Sequence, residues 1–167
     1  MSGDVPARGA AGAARYGRGG LADVPLEAVR AGLRLPLHDH LGIDLEGLRP
    51  VVVTMPLTDR CRSLAGALHG GALATLVDVA GNVAVAASGA VDVARYGLVT
   101  VRAEVDLRAQ PRGGAVRAEA APVEVDRRTG RATCRVTDEE GRTVATAVVT
   151  SRLVPRAGLA AARGEGA

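Results

Sequence analysis

Three polar side chains, Thr75, Asp78 and Asn82, interrupt an otherwise apolar run that extends from Leu68 to Ala87. The run opens with His69-Gly70-Gly71. At about 100° per residue, the three polar side chains and Gly71 fall on one narrow stripe of a helix. A helix that is apolar on nearly every side is usually buried. An ionised carboxylate taken out of water without a partner is very costly. The charge of Asp78 must therefore be compensated or put to use. Two other groups of residues could do chemistry. His38 and His40, two apart, would share a face on a strand and form a metal pair; no third ligand is spaced nearby, and solvent-facing or capping histidines are the plain alternative. Cys61 and Cys134 lack CxxC spacing and are too few for a disulfide framework. They read as a loop thiol and a core residue, and they suit a reduced, cytoplasmic setting.

At 167 residues the chain fits one domain able to bury a core. That core has unusual content. There is no Phe or Trp, and the only aromatics are Tyr16 and Tyr96. Ala, Val and Leu must fill the interior, which favours close helix–sheet contact.

The pattern along the chain supplies the elements. Residues 1–22 are rich in Gly, Ala and Arg without periodicity and read as a disordered tail, as do residues 156–167. The folded domain is then 23–155. Pro25 to Arg34 reads as a short helix with Asp23 as N-cap. Leu35 to Ile43 is a connecting segment. Leu48 to Leu57 is a first strand, with prolines marking an edge or an end. Thr58 to Ala67 is a polar loop that delivers the chain to the His-Gly-Gly helix start, and Ser88-Gly89-Ala90 closes that helix. Leu98 to Arg108 alternates, with Leu98, Thr100, Arg102, Glu104, Asp106 and Arg108 on one side and Val99, Val101, Ala103, Val105 and Leu107 on the other. Ala115–Val125, Arg131–Thr137 and Thr143–Val154 follow as strands, with Pro122 suggesting a bulge or kink. Short turns between the four strands imply an antiparallel meander, and the fold class is α+β, one long helix across one face of the sheet.

The charge pattern does not point to nucleic acid. Every basic residue is Arg, and the formal net charge is +3. Residues 1–20 carry Arg8, Arg15 and Arg18 against Asp4 and are +2, and residues 152–167 carry Arg152, Arg156 and Arg163 against Glu165 and are +2, leaving −1 between them. Nucleic-acid binding needs a basic footprint on a folded face, and no such motif is present. The run from Ala72 to Ala87 is short for a membrane span and is broken by Asp78 and Asn82. The N-terminus lacks the apolar centre of a signal peptide.

A strand, a loop, His-Gly-Gly, a helix with an acid nine residues after the His, and then a run of four strands resembles the hotdog-fold acyl-CoA thioesterases of the 4-hydroxybenzoyl-CoA thioesterase superfamily. The phenylacetate-pathway type is the nearest subgroup. The likeness covers roughly residues 35–154 and is most specific at Leu68 to Asp78. It implies a hotdog sheet wrapped around one central helix, hydrolysis of an acyl-CoA or carrier-protein thioester, no cofactor and no metal. It further implies a homodimer or dimer of dimers, with no nucleic-acid or membrane partner. By the same resemblance, the Gly70 amide polarises the thioester carbonyl, and Asp78 acts as nucleophile or general base in a site completed by the neighbouring subunit. Thr100 occupies the place of a water-positioning hydroxyl, and Ser63 stands where an Asn commonly assists. His69, Gly71 and Asn82 are expected to contribute to substrate binding. A non-catalytic acyl-CoA-binding protein is the alternative.

The spacing adds its own constraint. Thioester hydrolysis places negative charge on the carbonyl oxygen, and a helix N-terminus offers free N–H groups and partial positive charge. Losing one such donor typically costs about 3–4 kcal/mol of transition-state stabilisation. Seven residues at a rise of ~1.5 Å put Asp78 ~10 Å beyond Gly71. One helix cannot bring both groups to one carbonyl, whereas two helices across a dimer axis can.

Overall fold

A computed structural model describes residues 20–157 and residue 159. The N-terminal tail up to residue 19 and most of the C-terminal tail therefore lie outside the described residues. After a 3-10 turn at Leu21–Asp23 come α1 (Leu26–Gly32), α2 (Pro36–Leu41), β1 (Asp44–Leu48), β2 (Val51–Pro56) and a 3-10 turn at Asp59–Cys61. Then follow α3 (Gly70–Ala87), β3 (Tyr96–Leu107), β4 (Ala115–Val125), β5 (Thr129–Asp138) and β6 (Thr143–Pro155). The strands form one antiparallel sheet in the order β1-β2-β4-β5-β6-β3.

Several expectations need correction. Pro25, not Asp23, is the N-cap of α1. The segment Leu35–Ile43 is not merely a connection, because Pro36 at the first turn starts a helix there. On that helix His38 and His40 are two apart and point away from each other, so they share no face. His38 Nδ1 instead lies 2.9 Å from Leu33 O. The first strand is preceded by another, β1, whose polar and Gly content hides it; Leu48 pairs with Val51 across the Arg49–Pro50 turn. Only β4, β5 and β6 form a meander. β3 pairs with β6 at the far edge, and the chain then crosses to β4 beside β2. Cys61 lies in the loop segment between β2 and α3, at the 3-10 turn, and is buried there at 1% exposure. At Pro122 the register slips as expected.

The sheet lays its apolar face on α3. Leu73, Leu76, Val77, Ala80 and Ala84 of the helix are buried, as are Val53, Met55, Ala118, Val136, Ala145 and Val149 of the strands. By composition α3 is apolar enough to cross a membrane, yet most of it is buried inside the domain. Small residues set how close the two layers come. A Cβ on Gly81 would lie 2.7 Å from Val149 Cβ, closer than real Cβ contacts allow. The helix ends at Ser88, whose hydroxyl donates to Val85 O at 2.7 Å. Gly89 follows at φ +81°, a left-handed conformation that lets the chain leave the helix axis.

The hairpin between β5 and β6 is held by a carboxylate that the sequence presents as an ordinary turn acid. Asp138 is 5% exposed. Its oxygens accept from the backbone N–H groups of Arg112 (3.0 Å), Arg142 (3.0 Å) and Glu140 (3.1 Å), and from Arg142 Nη2 (2.8 Å). The Arg112 amide, foremost, and the Arg142 amide and guanidinium hold the Asp138 carboxyl below the usual carboxylate range, against the opposing effect of burial.

Two stability measurements follow from this packing. Gly81→Ala gains helix propensity of ~1 kcal/mol but overpacks Val149 at a cost of ~1–3 kcal/mol. The urea midpoint is therefore expected to fall; a rise would show that the layers can separate freely. Asp138 binds its proton less readily folded than unfolded. Its contribution is thus present above the unfolded carboxylate value, near 4, and is lost as pH falls through the lower folded value. Asp138→Asn is expected to lower the urea midpoint at pH 6. The gap to wild type should narrow below pH ~4; a gap independent of pH would contradict this role.

Candidate active site

The polar stripe of α3 faces β3, and a bulge makes the contact possible. Thr100 pairs with Ser151, but Arg102 pairs with Thr150, so Val101 is an extra residue. Strict alternation would separate Thr100 from Ala103, Val105 and Leu107. The bulge shifts the register, so that both Thr100 and Ala103 lie opposite inward-facing residues of β6, Ser151 and Val149. The expected grouping of Thr100 with Arg102, Glu104 and Asp106 is therefore wrong across the bulge.

Once turned inward, Thr100 joins a directed set of hydrogen bonds. Ser151 is fully buried, and its hydroxyl donates to Asn82 Oδ1 at 2.7 Å. Asn82 Nδ2 donates to Thr100 Oγ1 at 2.8 Å, to Asp78 O at 2.9 Å and to Asp78 Oδ1 at 3.2 Å. Thr100 Oγ1 donates its one proton to Asp78 Oδ1 at 2.5 Å. Asn82 and Thr100 both donate to one carboxylate oxygen, Asp78 Oδ1, and Ser151 holds Asn82. Asp78 Oδ2 hydrogen-bonds no described residue, and among the described residues no buried side-chain polar atom is left without a partner. One oxygen is thus anchored and the other is open, an arrangement able to accept a proton or attack a carbon.

The start of α3 holds the other half of the stripe. His69 is the N-cap, and its Nδ1 accepts from Gly71 N at 2.9 Å. Gly70 N–H bonds to no acceptor among the described residues. It is a free donor at the positive end of an 18-residue helix. Thr75 turns back to its own helix, donating to Gly71 O at 3.0 Å.

The structure therefore gathers Asp78, Asn82 and Thr100 in one cluster and His69, Gly70 and Gly71 in another, two turns apart. Ser63 joins neither. Its amide donates to Ala67 O at 2.8 Å and its carbonyl accepts from Gly66 N at 2.9 Å, while its hydroxyl bonds none of these side chains. Ser151 is a member that the sequence reading missed. Its signal was present: in the inward stripe Ala145, Ala147, Val149, Ser151, Leu153, one hydroxyl interrupts an apolar series.

Cys134 lies beneath the cluster on β5, with Sγ 3.6 Å from Val77 O. Burial first, and the Asp78 charge second, push its thiol up to about 12. It is held as the neutral thiol and is no nucleophile near neutral pH. Among the described residues, no three His, Cys, Asp or Glu side chains come together as a metal donor set.

Residues 65–145 match the family model of the thioesterase superfamily. A mutant thioesterase from Pseudomonas aeruginosa is similar at 27% identity and a TM-score of 0.72, over 80% of this chain and 96% of that one. A thioesterase from Haemophilus influenzae shares the fold at 21% identity and a TM-score of 0.71, over 78% and 91%. A protein from Bacillus halodurans, solved with CoA, shares it at 20% identity and a TM-score of 0.66, over 77% and 86%. No curated protein matches the chain. With its antiparallel sheet and single long helix, the chain has the hotdog fold, and over residues 65–145 it is similar to the thioesterase superfamily.

Proposed function

We propose that this protein hydrolyses an acyl-CoA or carrier-protein thioester at a site shared between two copies of the chain. The observation that carries the reading is the division of labour on α3: a free Gly70 amide at its start, and a carboxylate with one anchored and one open oxygen two turns on. Gly70 N–H stabilises the carbonyl oxygen as it becomes negative. Asp78 Oδ2 acts as nucleophile or as the base that takes a proton from water; water supplies OH to the acyl carbon and H to the thiolate that leaves. Thr100 and Asn82 hold the carboxylate in place. The CoA held by the Bacillus halodurans neighbour supports the substrate class. The buried free thiols Cys61 and Cys134 suit a cytoplasmic enzyme.

The edge of β3 supports the dimer. It pairs with β6 on one side only, and Val99, Val101 and Leu107 on it are 41%, 56% and 62% exposed. An unpaired apolar edge is a template for another strand. Leu107 lies beside Gly70, where an added Cβ would be 3.6 Å from its Cδ1, whereas Thr100 lies beside Asp78. A second β3 running antiparallel along this edge brings the Leu107 end of one copy next to the Thr100 end of the other. The partner's Gly70 then approaches Asp78. The unengaged Ser63 hydroxyl favours a second reading, a protein that binds acyl-CoA without cleaving it.

A panel of acyl-CoAs separates the two readings: wild type is expected to release CoA, and Asp78→Asn to slow release about 10²–10⁴-fold. Binding without release would establish the second reading. The shared site has its own test. Gly70→Pro removes the free donor at a helix position that accepts Pro, after a residue, His69, already extended at φ −70° and ψ 127°. Gly70→Pro and Asp78→Asn are each expected to be inactive, and refolding them together should restore about a quarter of wild-type activity, since half of random dimers are mixed and each has one intact site. No recovery would place the whole site within one chain.

A further inference from the structure

We infer that Gln110, in the loop between β3 and β4, is a positioning residue for the Gly70 amide; the inference rests on the thioesterase reading above. An amide donor is effective only where it is held at the place the oxyanion will occupy. The loop before α3 is tied mainly to itself. His69 N donates to Cys61 O at 2.8 Å, and Arg62 forms an isolated bridge with Leu68. The Cys61 and Leu68 side chains of this segment are buried in the core, and a side chain from the β3–β4 loop bonds its backbone just before the cap. Gln110 Oε1 accepts from Leu68 N at 2.9 Å, across 42 residues of sequence. Leu68 is two residues before Gly70, and the intervening His69 is the cap.

Gln110 is itself held. Its carbonyl accepts from Arg142 Nη2 at 3.0 Å. The same guanidinium is fixed on Asp138 Oδ2, through Nη2 at 2.8 Å and Nε at 3.1 Å. Asp138 Oδ2 also accepts from Arg112 N at 3.0 Å, two residues beyond Gln110. A buried carboxylate on β5 thus fixes the β3–β4 loop, and the loop fixes the approach to α3. The other end of this loop joins β3 at Leu107, the residue beside Gly70. Gln110 is solvent-exposed, so shortening it removes a hydrogen bond and little packing.

The test compares Gln110→Met, which keeps the length and loses the acceptor, with Gln110→Glu, which keeps an acceptor. Gln110→Met is expected to lower kcat about tenfold, with KM and the thermal midpoint close to wild type. It should also speed amide hydrogen exchange at Leu68. Gln110→Glu is expected to recover most of the loss in kcat and the slow exchange. Unchanged kcat and Leu68 exchange in Gln110→Met would overturn the inference. So would a fall in kcat accompanied by an equal loss of substrate binding and thermal stability, which a loosened loop alone would give. If wild type cleaves no thioester, the thioesterase reading fails; the exchange data then still decide the tether, and unchanged Leu68 exchange overturns it.

Discussion

A carboxylate on the central helix is the constraint around which the other parts fit. Asp78 lies on α3, and the helix is packed against a sheet face built mainly of Ala, Val and Leu. Such surroundings offer a charge nothing. The polar groups that meet it come from α3 itself, through Asn82, and from β3, through Thr100, while Ser151 of β6 holds Asn82 in place. β3 and β6 are adjacent only because β3 leaves its sequence neighbour β4 and docks at the far edge. Topology thus delivers the donors that the sequence spacing alone could not.

Close packing of small side chains is the second condition. With no Phe or Trp, the helix sits near the strands, and Gly81 and Gly130 face Val149 and Val85 at distances that leave no room for a Cβ. Short side chains can then reach across. A hydroxyl on Ser151 spans to Asn82 because the two layers are close. A core built on bulky residues would push the sheet away and leave the same hydroxyls without partners.

Much of this was legible in the sequence, and the parts that were not share a cause. The central helix, its polar stripe and the strands β4 to β6 show in local periodicity, because each is read within one segment. The pairing of β3 with β6 does not, since strand order depends on contacts distant in sequence. β1 escaped because Asp44, Glu46 and Gly47 give it little β signal; it exists through its pairing with the β-branched run of β2. The two-residue spacing of His38 and His40 suggested a shared face only if the segment was extended, and Pro36 made it helical. Asp138 and Gln110 look like ordinary loop residues in sequence, and only the folded neighbours reveal what they hold.

The extra residue at Val101 also says something about how this strand tolerates change. A strand keeps time with a period of two, and one inserted residue shifts the rhythm by half a cycle. Thr100 and Leu107, seven apart, would point to opposite faces of an even strand; the half-cycle shift puts them on the same one. A point substitution at Val101 leaves that phase intact whatever side chain it introduces. Loss of a single residue there would reset it and swap inside for outside along one half of the strand. In β3, chain length is therefore a tighter requirement than the identity of the bulged side chain.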